Sequence, residues 1–185
     1  MKNNPYDITG KQGIAGKRFT NNILLAALSG FLLFLSFPKF GSGYFAWIAF
    51  IPLFFALKDA AGISQGLLLG FLTGVTAYIG IIYWIAYVIV HYGYLPLYVG
   101  IILMLLLACY LSLYVSLFAA GLVYFRDKIP LYLTAPVLWV CFEYGKSFFL
   151  TGFPWENLGY SQYLNRYWIQ SADVVGVFGL SFILL

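Results

Sequence analysis

Charge is what this chain has least of. Of its 185 residues, 9% are Asp, Glu, Lys or Arg, against about 25% in an ordinary globular domain, and none falls within residues 60–125. With 63% of the residues hydrophobic, no water-soluble domain fits, which leaves a polytopic membrane protein whose apolar surface is spread over several spans. Cysteine is scarce as well. Cys109 and Cys141 each sit inside an apolar run, so a disulfide framework is excluded, and with no ligand cluster around them so is a metal site. An apolar setting disfavours the thiolate, and both are expected as small buried hydrophobes rather than nucleophiles. The single histidine, His91, has no acidic or histidine neighbour and reads as a satisfied interfacial residue ahead of a proton relay. No basic stripe with interleaved aromatics stands outside the apolar runs, so no nucleic-acid partner is expected, and no cofactor is called for.

What is present is a succession of apolar runs. Residues 1–18 carry Lys2, Lys11, Lys17 and Arg18 among Asn, Gly and Pro, and predict a flexible basic tail. The run that follows resembles a signal-peptide core. No small-x-small cleavage site comes after it and further runs do, so it is read as a span over 19–37, closed by Pro38. Next comes 44–57, which at about 1.5 Å per residue covers about 21 Å of a core of about 30 Å and so predicts a tilted, kinked or interfacial helix. Residues 60–125 as one helix would be about 99 Å long, so HYGYLP at 91–96 must turn the chain between spans at 66–90 and 97–125. A fifth span is expected over 130–150. A sixth begins at 174–185, about 18 Å and too short to cross, which reads as a truncated chain. The fold class is therefore an all-α membrane bundle of five transmembrane segments plus a partial sixth. Gly66, Gly70 and Gly74 recur every fourth residue, the pattern that lets helix backbones approach in lipid; contact with a ligand is the less favoured alternative.

Orientation follows from the basic residues. With the N-terminus inside, the cytoplasmic side collects Lys2, Lys11, Lys17, Arg18, Lys58, Arg126 and Lys128, and the other side Lys39, Lys146 and Arg166. The positive-inside rule then puts FPKFGSG (37–43), HYGYLP and the 151–162 loop on the outer face.

That loop, TGFPWENLGYSQ, holds more polar and aromatic character than anything around it. Pro154 removes a backbone donor, Gly152 and Gly159 permit tight turns, and Trp155 and Tyr160 suit the headgroup level. An ordinary interfacial loop anchored by aromatics would look the same. Just upstream, Glu143 and Lys146 lie one helical turn apart inside a span, where charge is costly and points to a partner or a polar cavity. The alternative is a pair that neutralises itself near the interface, with Lys146 reaching outward.

Ala135-Pro136, Trp139, Glu143 and Lys146, followed by residues 151–155 and Gly159-Tyr160-Ser161-Gln162, resemble the apolipoprotein N-acyltransferase family. Weaker matches lie at Phe37-Pro38, Trp47, Pro52-Leu53, 70–84 and 108–119. The resemblance implies the N-terminal membrane region of a bacterial inner-membrane enzyme, whose nitrilase-like domain carries a Glu-Lys-Cys triad and moves an acyl chain from a phospholipid to the diacylglyceryl cysteine of a lipoprotein. The triad would use a thiolate to take the acyl group, a carboxylate for the proton and an ammonium for the oxyanion. Glu143, Lys146 and Cys141 match the membrane region instead, so no catalytic residue is expected in this chain and the catalytic domain is missing from it. Its partners would be membrane lipids, the phospholipid donor, the diacylated lipoprotein and that domain. Phe153, Pro154, Trp155, Tyr160 and Gln162 are the candidates for a lipid-facing surface, with Glu143 and Lys146 supporting it, and Glu156 is expected to face solvent, an amine or Arg166. The competing class is a small polytopic transporter or scaffold with a polar Glu143/Lys146 path, although no internal repeat or pair of broken helices favours it.

Overall fold

In lipid every backbone N–H and C=O must pair within its own segment, so apolar runs such as these fold as helices. The computed structural model describes residues 8–185, and among them the regular structure is helical throughout. The α-helices are α1 (Ile8–Ser36), α2 (Ile51–Lys58), α3 (Ile63–Ile81), α4 (Trp84–His91), α5 (Leu97–Phe125), α6 (Leu131–Lys146) and α7 (Arg166–Ile183). Three stretches are long and apolar enough to cross a membrane: Arg18–Ser36 of α1, α3 and α5, with mean hydropathies of 1.6, 1.4 and 2.5.

Several elements depart from the apolar runs. α1 begins at Ile8, so the stretch read as a basic tail is helical from that residue on; residues 1–7, with Lys2, lie outside the described residues. The 44–57 run divides into a 3-10 turn, Gly43–Trp47, and the eight-residue α2, which starts with Pro52 in its first turn. The single span expected over 66–90 is corrected to two helices. α3 stops at Ile81, Ile82 is fully buried, and α4 starts at Trp84 on a new axis that lays it along the first turns of α5. Gly80 comes two residues before this break, but it lies within α3 against the Phe34 ring, and no Pro stands near it. The break is set by packing: a Cβ on Gly100 of α5 would stand 3.0 Å from the Ala86 carbonyl of α4. α6 ends at Lys146, and α7 starts at Arg166, well before the apolar run, with the Asn165 side chain accepting from the Trp168 N–H at 3.5 Å.

The core forms where α3 packs against α5 on one side and α1 on the other. The glycine stripe makes the first contact possible. A Cβ on Gly70 would lie 2.6 Å from both the Val115 carbonyl and the Ala119 Cβ, and one on Gly74 2.7 Å from the Ser112 Cα, so backbone meets backbone along this seam. Short hydroxyls add cross-helix bonds: Ser116 Oγ donates to the Leu67 carbonyl (2.7 Å), Thr73 Oγ1 to Ala26 (3.0 Å) and Ser29 Oγ to Ala49 (2.6 Å). Phe50, Phe118 and Trp139 meet edge to face at 4.6–5.8 Å and tie α2, α5 and α6 together. At the end where α2 stops, Arg126 Nη1 donates to the carbonyls of Leu57, Lys58 and Ala60 at 3.1–3.3 Å, satisfying groups the helix terminus leaves unpaired. Cys109 and Cys141 correct their expectation: both are exposed on the outside of the bundle, among the apolar side chains that would face lipid.

Candidate functional site

The site is built on the last turn of α6. Glu143 and Lys146 share one face, as their spacing requires, but no ion pair within 4 Å joins them, and at 3% and 2% exposure neither reaches outward. Each turns to the backbone of the following loop instead. Glu143 Oε1 accepts the Leu158 N–H at 2.5 Å, and Lys146 Nζ donates to the Trp155 carbonyl at 3.2 Å. The outward-reaching Lys146 is thereby corrected.

The chain can return to these partners because of its local conformation. Gly152 takes φ +79, a left-handed value, with its Cα so close to the Ser147 carbonyl that a Cβ would stand 2.1 Å from it. The Phe153 N–H then closes onto the Lys146 carbonyl at 2.9 Å. Beyond Pro154 the loop ends in a 3-10 turn, Leu158–Gln162, whose residues are mostly buried. Gly159 donates its N–H to Ser181 Oγ of α7 (2.9 Å), and Gln162 Nε2 donates to the Gly43 carbonyl (2.8 Å). The loop is thus held from α6, α7 and the 3-10 turn before α2. Gln162, 3% exposed, is an anchor beneath the surface.

Above these anchors the loop opens on a cleft of about 480 Å³, whose walls come from three distant parts of the chain: Phe37, Pro38 and Lys39; Ile81, Tyr83 and Trp84; and Trp155, Glu156 and Tyr160. Trp84 and Trp155 stack with ring centres 5.3 Å apart and planes at 18°. Lys39 Nζ stands 4.5 Å from the centre of the Tyr83 ring, a cation–π contact. The cleft's one basic and one acidic residue both sit on left-handed backbone, Lys39 at φ +100 and Glu156 at φ +58, a conformation costly for side-chain-bearing residues and common at functional sites. Glu156 Oε2 is buried without a hydrogen-bond partner among the described residues. Burial pushes the Glu156 carboxyl up to about 7, the nearby Lys146 cation offsetting part of the effect. It therefore exchanges a proton near neutrality. Lys146, rather than Arg166, is the cation that faces it, since Arg166 lines a separate recess with Gly41 and Tyr44.

Phe153 is half-buried and Pro154, Trp155 and Tyr160 are exposed, so four of the surface candidates stand together at the cleft or its rim. HYGYLP does not line it. His91 lies at the far end of α4, stacked on Tyr87 at 3.8 Å, with Nδ1 3.1 Å from the Tyr87 carbonyl. Lys39 and Tyr83 carry no signal in the sequence that separates them from other interfacial residues. Gly66, Gly70 and Gly74 lie in the α3–α5 seam, away from the cleft. The arrangement offers an open recess of about 480 Å³ with aromatic walls, one cation and one acid.

Residues 29–185 match the profile of the apolipoprotein N-acyltransferase N-terminal domain. The chain is 46% identical over 170 residues to an apolipoprotein N-acyltransferase of Geobacter metallireducens, covering 87% of this chain and 31% of that protein. It is 34% identical over 166 residues to the one of Wigglesworthia glossinidia brevipalpis (88% and 33%) and 32% identical over 171 residues to apolipoprotein N-acyltransferase 1 of Treponema denticola (90% and 30%). It spans about a third of the length of these curated relatives.

Proposed function

We infer the function of this bundle from its membership: the chain belongs to the apolipoprotein N-acyltransferase family. It forms the membrane-embedded part of an enzyme that moves an acyl chain from a phospholipid to the N-terminal diacylglyceryl cysteine of a lipoprotein. It lies in the bacterial inner membrane with five membrane segments and the start of a sixth, N-terminus cytoplasmic and cleft outward. The bond-making belongs to a nitrilase-like domain with a Glu-Lys-Cys triad. Glu143 and Lys146 are committed to the loop backbone and Cys141 faces away from them, so the isolated chain transfers no acyl group.

The observation that carries this reading is the cleft in which Trp84 and Trp155 stack beside Lys39 and Glu156. Aromatic faces pack on glycerol and acyl carbons, while indole N–H and phenol O–H groups bond ester or phosphate oxygens. Phe153, Pro154, Trp155 and Tyr160 supply that surface, with Glu143, Lys146 and Gln162 fixing it from below. A transporter would need Glu143 and Lys146 to face a path, and their commitment to the loop weighs against it.

The test joins this chain to the remainder of the Geobacter metallireducens relative and follows the third acyl chain on a diacylated lipopeptide by mass spectrometry. Trp155→Ala is expected to lower turnover about tenfold or more, the loss of about 1.4 kcal/mol of positioning, at unchanged protein level. Activity that survives, or falls only with abundance, makes the loop a structural anchor. Turnover by the unfused chain would overturn the division of labour.

A further inference from the structure

At the opposite end of the bundle, α2, α5 and α6 leave a second recess of about 330 Å³. We propose that it holds one anionic glycerophospholipid of the leaflet on that side, an acyl chain lying in the groove and the phosphate held at Arg126 and Lys58. The walls are apolar, with Phe54 and Phe55 from α2, Leu122 from α5 and Leu131 from α6. The lining includes two cations and no acid. α2 is only eight residues long, so its basic end and the groove below it stand side by side.

Arg126 is oriented for this task by the fold. Its Nη1 is used up on the carbonyls of Leu57, Lys58 and Ala60, which pins the guanidinium plane, while Nη2 has no protein acceptor among the described residues. A fixed guanidinium with free N–H groups is a phosphate donor with its orientation already set. Asp127 does not compete: its carboxylate is 4.0 Å from Nε and 90% exposed, a pairing of little weight in water. Asp59 is exposed and outside the lining. Charge therefore selects a headgroup of net negative charge, and the groove selects an acylated one.

The probe is an equimolar mixture of phosphatidylglycerol and phosphatidylcholine with identical chains, added to the purified chain in neutral detergent, with retained lipid counted by native mass spectrometry. The wild type is expected to retain phosphatidylglycerol about tenfold over phosphatidylcholine, as two basic side chains near a phosphate allow. Lys58→Glu should abolish the preference by charge, and Leu131→Trp by filling the groove with both cations intact. Phe55→Trp fills it from the other wall should the former fail to fold. Arg166→Glu, which lies outside both the groove and the cleft, should leave retention unchanged. Equal retention of the two lipids by the wild type overturns the proposal. So does a preference lost in Lys58→Glu but kept in the groove-filling variants, which would mean adsorption to a basic surface.

Discussion

The Glu143 carboxyl accepts the backbone N–H of Leu158 at 2.5 Å across fifteen residues of chain, and neither group has access to bulk water. A buried N–H without a partner costs about 1–3 kcal/mol, so this bond decides whether the loop is closed. Glu143→Gln keeps an acceptor and should cost little. Glu143→Ala should destabilise by about 1–3 kcal/mol and open the loop, read as protease cleavage within residues 152–162 at conditions where the wild type stays intact. A Glu143→Ala loop as resistant as the wild type would show that the anchor lies elsewhere.

Glu156 makes stability depend on pH. Its carboxyl is raised from 4.5 to about 7 by burial, so the folded chain holds a proton that the unfolded chain has released. The contribution of the neutral acid is complete below about 4.5 and is lost as pH rises through about 7, because above 4.5 the unfolded state binds fewer protons than the folded one. The unfolding temperature in detergent should fall across this window, and Glu156→Gln, which stays neutral, should flatten the fall. An unchanged slope in the variant would assign the titration to another group.

Two glycines should respond in opposite ways. Gly70→Leu drives a side chain into the Val115 carbonyl and Ala119 and should cost at least the 1–3 kcal/mol or so of ordinary overpacking, since the obstacle is backbone. Gly145→Ala, with nothing within 4 Å of the new Cβ and a position near the end of α6, should be neutral or gain about 0.5–1 kcal/mol. Thermal unfolding of the two single variants separates packing from propensity.

Accessibility checks which ends share a side. In a background with Cys109→Ser and Cys141→Ala, a membrane-impermeant thiol reagent added outside intact cells should label Leu164→Cys and Phe40→Cys, both exposed at the cleft end, and spare Lys128→Cys until the membrane is opened. The reverse pattern would invert the orientation.

Much of the helical content was legible because lipid leaves so few alternatives. The run after Pro96 is helical to Phe125, where Arg126 follows, and the glycine stripe reads directly as a close helix contact. The break at Ile82 was not legible, since it comes from the packing of α4 on α5 and the lone Gly80 beside it is one of several glycines in the same apolar run. Nor were the partners of Glu143 and Lys146: spacing along a helix says which side chains share a face, and these two share one only to reach past each other to the loop. The cysteines went wrong for a related reason. In a membrane protein an apolar neighbourhood in sequence marks the lipid-facing surface as readily as the interior, so composition alone could not say which way Cys109 and Cys141 face. The cleft joins Pro38 to Trp84 and Trp155, and only the fold brings positions so far apart in the chain together.

The three carbonyls that Arg126 satisfies belong to residues 66 to 69 positions earlier in the chain. During synthesis those carbonyls exist long before their donor does. The end of α2 therefore lacks its final partner while α3, α4 and α5 are being made, whereas the Ala49 carbonyl, in the turn just before α2, is held by Ser29 of the preceding helix. The second helix of the chain thus takes the final donor for its last carbonyls from a residue that follows α5, so its C-terminal end cannot be completed until α5 has been made.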